Sequence, residues 1–216
     1  MHANVICVKW GEKYSVKHVI DLIQSLKKYN NKFSYICYTD RDADILEQND
    51  IITIPIPNKP LLKKWWNKLK LFDEKFPVSG KNLYFDLDVK INSDPFYIME
   101  HIDWSNLTVV DCHWKKSKLY KRLSNYDVDI NSSILAWDTN KSDIHGLWDH
   151  FYNSGYKDYF LRKYVGIDRY IVHEDFEYNT FPHDFIQSHK YEPNKKAAVT
   201  TFEEVNFEGT NIISKS

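Results

Sequence analysis

The stretch from Asn82 to Ile91, NLYFDLDVKI, constrains the fold more than any other part of the chain. Its apolar residues alternate with polar ones, so an extended strand would place Asp86 and Asp88 on the same face. Two carboxylates this close repel each other and are costly to remove from water. A divalent cation between them would relieve both costs, because Mg²⁺ and Mn²⁺ prefer oxygen ligands. The stretch therefore predicts a metal site at the end of a buried strand, ahead of the simpler alternative of a solvated turn.

Composition argues against several classes of protein. The 216 residues suffice for one domain with a substantial core. The 29 basic and 30 acidic side chains leave a net charge of -1, which argues against a general nucleic-acid or membrane-surface binder. Neither a secretory leader nor an apolar run of about 20 residues is present, so we expect a cytoplasmic protein. The widely spaced Cys7, Cys37 and Cys112 predict reduced core thiols.

The first third of the chain alternates strands and helices. The apolar run Asn4–Trp10 predicts a buried strand, and Ser15 is a suitable N-cap for a helix over Val16–Tyr29. Further strands are predicted over Phe33–Tyr38 and Ile51–Ile54. This rhythm predicts an α/β fold with a largely parallel central sheet, in which ligands gather beyond the carboxyl ends of the strands.

The remaining elements are predicted more coarsely from periodicity. Helices are expected over Leu61–Phe76, Asp143–Asn153, Tyr156–Tyr164 and Ile167–His173. Strands are expected over Leu107–Cys112, Ile130–Trp137 and Phe185–Ser188. The polar, basic segment Lys115–Asp127 is expected to be a surface excursion.

Several side chains outside the aspartate pair could bind a ligand. Lys9, at the end of the first strand, and Lys68 are the cations that we would place near a phosphate, although a lysine with a buried stem is the commoner situation. One of the adjacent residues Trp65 and Trp66 is expected to pack in the core.

A polar triplet, Asn131-Ser132-Ser133, opens an apolar strand and should therefore face either backbone groups or a ligand. Asp168 opens a helix, where capping alone would account for it.

Taken in order, seven segments of the chain resemble the GT-A glycosyltransferases, the nucleotide-sugar-dependent enzymes with an Asp-x-Asp motif. The resemblance is strongest to small bacterial and viral members related to family 8. The segments are Val8-Lys9-Trp10-Gly11 with Tyr14, Cys37-Tyr38-Thr39-Asp40, Trp65-Trp66-Asn67-Lys68-Leu69, Tyr84-Phe85-Asp86-Leu87-Asp88-Val89, Asn131-Ser132-Ser133 with Trp137, Gly166-Ile167-Asp168-Arg169, and Ser188-His189-Lys190.

The resemblance implies one GT-A-like domain over residues 1–216. Residues 1–92 would form its nucleotide-binding half, residues 93–192 its acceptor-binding half and residues 193–216 a tail.

It also implies roles for individual residues. Asp88 would bind Mn²⁺ or Mg²⁺ bridging the donor diphosphate, and Asp86 would contact the metal and the ribose. The other residues that the resemblance places around the nucleotide sugar are Val8, Lys9, Trp10, Tyr14, Asp40, Trp66, Lys68, Asn131 and Ser132.

Two departures from the family pattern stand out. Asp168 is followed by Arg169 where the family usually has Gln. The tail has Phe207-Glu208-Gly209 where many relatives have a His-x-Gly segment with a metal-binding His, so that either Glu208 substitutes for this ligand or the ligand is missing.

The expected reaction is transfer of a sugar from a nucleoside diphosphate sugar, first of all a UDP-sugar, to a hydroxyl of a glycan or small acceptor. If the anomeric centre is inverted, Asp168 is the first candidate base and Asp111 the second. If it is retained, Asp168 would stabilise an oxocarbenium-like centre. The sequence leaves this choice open.

Three other functions share features of this sequence. A haloacid-dehalogenase-type hydrolase also has Asp-x-Asp, but near its N-terminus. A sugar-nucleotide nucleotidyltransferase usually carries a Gly-rich basic loop after its first strand, whereas this loop has one glycine, Gly11. A carbohydrate-binding module on the same fold, without turnover, is the third alternative.

Overall fold

Ten strands and five α-helices make up the described part of the chain. The computed structural model describes residues 2–57, 62, 64–116, 128–141 and 143–202. The strands are β1 Asn4–Lys9, β2 Ser34–Thr39, β3 Ile52–Pro55, β4 Lys81–Phe85, β5 Val89–Ile91, β6 Leu107–Asp111, β7 Ile130–Asp138, β8 Tyr178–Thr180, β9 Ile186–Ser188 and β10 Val199–Thr201. The α-helices are α1 Val16–Lys27, α2 Ala43–Glu47, α3 His145–Trp148, α4 Lys157–Lys163 and α5 Ile167–His173.

Shorter helical turns complete the set. They are 3₁₀-helices over Lys64–Phe72, Phe96–Glu100 and His113–Lys116 and a π-helical turn over Asp149–Asn153. Within the described residues, no helix combines the length and the apolar character needed to cross a bilayer.

Seven strands form the central sheet in the order β3-β2-β1-β4-β7-β6-β8. Strands β3, β2, β1 and β4 run parallel, β7 is antiparallel to both its neighbours, and β8 is parallel to β6. The α/β class with a mostly parallel sheet in a single domain is thereby confirmed. Because β1 is followed by β2 on one side and flanked by β4 on the other, the strand order reverses between β1 and β4, which is where such sheets bind ligands.

Each face of the sheet is covered by helices. Val5 and Cys7 of β1 pack with the buried face of α1, whereas Ile6 packs in the opposite cluster with Leu69 and Phe72 of the 3₁₀-helix. This alternation follows from the two-residue period of a strand.

The helix α1 begins as the sequence predicts. Ser15 is its N-cap, and the Ser15 backbone N–H donates to His18 Nδ1 at 3.2 Å. Cys7, Cys37 and Cys112 are buried, as expected.

The aspartate stretch differs from its prediction as one continuous strand. Strand β4 ends at Phe85, Leu87 and Asp88 lie in a turn, and Val89 begins β5, which belongs to a second sheet of order β5-β10-β9. The period-two argument for a shared face therefore does not apply to the pair. Apolar alternation could not reveal the break, because Leu87 and Val89 are buried on either side of Asp88 in both arrangements.

Three further differences lie elsewhere in the chain. The helix predicted over Leu61–Phe76 is, in the described residues, a 3₁₀-helix over Lys64–Phe72, and β8 was not predicted. The tail predicted over residues 193–216 contains β10, which lies between β5 and β9. The surface excursion predicted over Lys115–Asp127 lies largely outside the described residues, and so does Glu208.

Candidate functional site

A cleft of about 540 Å³ opens where the strand order reverses. Three segments supply its walls: the end of β1 with the loop that follows, the 3₁₀-helix Lys64–Phe72, and the end of β4 with its turn. The lining side chains are Val8, Trp10, Glu12, Lys13, Tyr14, Lys64, Trp65, Lys68, Tyr84, Asp86 and Asp88.

Both aspartates line this cleft, and each is held by a hydrogen bond from a neighbouring segment. Tyr14 Oη donates to Asp88 Oδ2 at 2.8 Å. Lys68 Nζ lies 2.8 Å from Asp86 Oδ2, and Tyr84 Oη donates to the other oxygen, Asp86 Oδ1. The backbone N–H of Asp86 donates to the carbonyl of Ser133 at 2.7 Å, which fixes the start of the turn against β7.

The electrostatics of the pair are those of two crowded carboxylates. Burial raises the pKa of Asp88 above its ordinary value of 3.8, the nearby charge of Asp86 raises it further, and the hydrogen bond from Tyr14 offsets these effects only in part. A divalent cation at this position would neutralise both charges, so the donor set suits Mg²⁺ or Mn²⁺.

The described residues contain no group of three or more His, Cys, Asp or Glu side chains arranged to hold a metal. A cation here would therefore draw its other ligands from a bound diphosphate, from water or from residues outside the described part.

Lys68 holds the Asp86 carboxylate in place through an ion pair. Its ammonium also lies 3.1 Å from the Ser132 carbonyl and 3.4 Å from Ser132 Oγ, so three oxygens match its three N–H donors. The side chain is 7% exposed, and Nζ lies 5.1 Å from the centre of the Tyr84 ring. Lys68 thus positions Asp86 and links β4 to β7.

Several predicted site residues lie outside the cleft wall. Lys9 is 1% exposed, and its Nζ pairs with Asp42 Oδ2 at 2.8 Å. Asp40 Oδ2 accepts the Gly11 backbone N–H at 3.1 Å and also pairs with Arg41. These contacts join the loop after β1 to the loop after β2.

Trp66 lies in the core, where it stacks on Phe151 with ring centres 5.3 Å apart. Of these two adjacent tryptophans, Trp65 is the one that lines the cleft, as Trp10 does from the loop after β1. In a 3₁₀-helix, side chains at i and i+3 share a face. Trp66, Leu69 and Phe72 therefore face the core together, whereas Trp65 lies on the same face as Lys68.

The polar triplet and Asp168 form a hydrogen-bonded network that reaches Lys68. Asp168 Oδ1, in the first turn of α5, accepts the Ser132 backbone N–H at 2.9 Å. Asn131 Oδ1 accepts the Ser133 backbone N–H at 2.7 Å. The triplet thus satisfies backbone groups, and Ser132 connects Asp168 to Lys68.

Asp111, the last residue of β6, pairs with His183, whose Nε2 lies 2.7 Å from Asp111 Oδ2. It ends a strand two positions from β4 in the sheet order, with β7 between them. The structure thus places Asp111 and Asp168 on the β7 side of the aspartate pair.

Sequence reasoning missed Tyr84 and Trp65. Tyr84 could have been found, because it lies two residues before Asp86 and so on the same side of the chain. Trp65 could have been found too, because residues three apart share a face in either kind of helix, which places Trp65 and not Trp66 beside Lys68.

Comparison with known proteins identifies the fold. No protein-family model matches the sequence, and no curated protein matches it. Solved structures do match. The galactosyltransferase LgtC, crystallised with donor and acceptor sugar analogs, has a TM-score of 0.60 at 13% identity over 92% of this chain and 86% of its own.

Two further structures agree over nearly the full length. Mouse xyloside xylosyltransferase 1 has a TM-score of 0.57 at 7% identity, over 94% of this chain and 98% of its own. A glycosyltransferase involved in glycosylation of the major capsid of PBCV-1 has a TM-score of 0.51 at 12% identity, over 94% and 93%. At these identities the similarity concerns architecture, and the chain has the GT-A fold of the glycosyltransferases.

Proposed function

We propose that this protein is a glycosyltransferase that moves a sugar from a nucleoside diphosphate sugar to a hydroxyl of a glycan or small acceptor. One observation carries the proposal: Asp86 and Asp88 meet in a cleft at the reversal point of a GT-A sheet, held by Lys68 and Tyr14. A cleft of this volume is large enough for a nucleotide sugar. A UDP-sugar is the first donor to test.

Asp86 and Asp88 would hold Mn²⁺ or Mg²⁺ in this proposal. The bound cation would neutralise the charge that develops on the leaving diphosphate. Tyr14 and Lys68 keep the two carboxylates in place before the donor arrives, so the site needs little rearrangement on binding.

Asp168 and Asp111 are the candidates for contact with the reacting sugar or the acceptor. Asp168 is 8% exposed and bonded to the strand that carries Ser132. Asp111 is paired with His183, a side chain that is 59% exposed. An inverting reaction would use one of these carboxylates as the base, whereas a retaining one would use Asp168 to stabilise positive charge on the sugar.

The decisive variant is Asp88→Ala. We expect it to abolish measurable donor consumption, with a fall in rate of at least about 100-fold, because the cation would lose a direct ligand. Wild-type protein would be incubated with Mn²⁺ and a panel of uridine and guanosine diphosphate sugars, and release of the nucleoside diphosphate would be measured. Asp21→Asn is the matched control, because Asp21 forms an exposed ion pair with Lys17 on α1.

The panel also separates the proposal from its alternatives. A transferase releases a nucleoside diphosphate from these donors, whereas neither a nucleotidyltransferase nor a binding module does. Full activity of Asp88→Ala in a folded sample would refute the metal-site proposal.

A further inference from the structure

We infer that Trp65 forms the wall of the subsite for the transferred sugar and stacks on an apolar face of that sugar. This inference rests on the proposed function and assigns a specificity-determining residue to the same cleft.

The ring of Trp65 is unusually accessible. The residue is 44% exposed and lines the cleft, whereas Trp66 next to it is 6% exposed. Leaving a large aromatic surface in water forgoes stabilisation that burial would provide. An occupant of the cleft that covers the ring would recover it.

The 3₁₀-helix fixes where this ring lies relative to the aspartate pair. Trp65 and Lys68 are three residues apart and therefore share a face, about 6 Å apart along the helix axis. Since Lys68 is bonded to Asp86 and to Ser132, the position of Trp65 is tied to the carboxylates that would bind the diphosphate cation.

The neighbours of Trp65 show which side of the cleft it occupies. Trp65 Nε1 lies 3.9 Å from the position that a Cβ would take on Gly166, the N-cap of α5. The first turn of α5 carries Asp168, which is bonded to β7 through Ser132. Trp65 is therefore on the β7 side of Asp86, and the loop with Trp10 and Tyr14 is on the β1 side.

This placement separates the two ends of a nucleotide sugar. With the diphosphate held centrally at Asp86 and Asp88, the β1 side with Trp10 and Tyr14 would receive the nucleoside, as in other sheets with a reversal point. The sugar would then extend toward Trp65 and Asp168.

The chemistry at that end suits a pyranose. Such a ring carries hydroxyls at its rim and C–H groups on its faces, so it needs one apolar surface and polar groups beside it. The indole supplies the surface.

Binding measurements on nucleotide and intact donor test this directly. Isothermal titration with Mn²⁺ would compare UDP, or the diphosphate of whichever donor the panel identifies, with that intact donor. We expect Trp65→Ala to weaken binding of the intact donor about 10-fold, or about 1.4 kcal/mol, and to change the affinity for the diphosphate by no more than about twofold. Trp65→Phe should recover most of the loss because it keeps an aromatic face.

Tyr156→Ala is the control, because Tyr156 is 62% exposed and distant in sequence from the cleft wall. Equal weakening of diphosphate and intact donor by Trp65→Ala would overturn the inference in favour of contact with the nucleotide. Unchanged affinity of Trp65→Ala for the intact donor would overturn the inference as well. Thermal melting of each variant guards against misfolding, and Trp65→Phe keeps the test decisive if the alanine variant does not fold.

Failure of the proposed function gives a different pattern. In that case wild-type protein binds neither the diphosphate nor any donor of the panel, before any substitution is made.

Discussion

At the scale of single residues, charged side chains around the cleft form ion pairs with each other in the absence of a ligand. Lys68 and Asp86 form one such pair and Lys9 and Asp42 another. The sequence predicts Lys9 as a phosphate contact, and that role stays a prediction. What the structure shows is a buried lysine that anchors the loop after β2, in which Asp42 has a left-handed backbone with φ +64°.

Lys9→Met tests which of these roles matters. The methionine keeps the buried stem but leaves the Asp42 carboxylate without its partner, so we expect a loss of about 1 to 3 kcal/mol in the free energy of unfolding. This is below the usual cost for a fully buried pair, because the Asp42 side chain is 32% exposed. Urea denaturation would measure the loss.

The double variant Lys9→Met with Asp42→Asn provides the control. It removes the uncompensated charge and should be more stable than Lys9→Met alone. Unchanged stability of Lys9→Met together with weaker binding of a nucleoside diphosphate would instead support the phosphate contact.

At the scale of elements, short helices are held together by specific polar contacts. Glu174, which follows α5, accepts from Lys163 Nζ of α4 at 3.1 Å and from Tyr164 Oη. Burial alone would raise the pKa of Glu174, but the hydrogen bonds from Tyr164 and Lys163 outweigh it and lower the pKa below the ordinary 4.5.

Glu174→Gln should therefore change the pH dependence of stability. Because the pKa of Glu174 is lowered in the folded state, its stabilisation is fully present above pH 4.5 and is lost as the pH falls through the folded value. We expect the free energy of unfolding of wild type to exceed that of Glu174→Gln by about 1 kcal/mol at pH 7, and the two to converge at acidic pH, below the folded pKa of Glu174. Thermal melts across this range would measure the difference.

Glu177→Gln is the matched control, because Glu177 is exposed on the same connection. It should leave the stability difference between the two pH values unchanged. A Glu174→Gln profile parallel to that of wild type would contradict the assignment.

At the scale of the whole molecule, two sheets meet at the aspartate turn. Strand β4 belongs to the large sheet and β5 to the small one, so residues Asp86 to Asp88 bridge them. The strand β10 lies between β5 and β9, and Asn92, just after β5, donates to Thr200 Oγ1 at 2.8 Å and to the Ala197 carbonyl at 3.0 Å. The geometry of the turn therefore depends on residues more than 100 positions away.

Truncation after Lys196 should disturb both stability and function. It removes β10 with the fully buried Val199. We expect the free energy of unfolding to fall by at least about 3 kcal/mol and donor consumption to be lost as well. Truncation after Phe202 retains β10 and should preserve cooperative melting. Melting temperature and donor consumption would be measured for both, and an unaffected shorter chain would contradict a role for the small sheet.

Much of this protein follows from local sequence pattern. The βαβ rhythm, the N-cap Ser15 and the core thiols are set by side-chain period and capping chemistry, which act over a few residues. The aspartate pair was found the same way, because its charges stand out against an apolar background.

Other features were decided only by tertiary structure. The break between β4 and β5 depends on pairing with β10, and the pairing of Lys9 with Asp42 depends on the end of β1 meeting the loop after β2 in space. In both cases the deciding contact joins residues far apart in the chain, and local pattern carries no information about such contacts.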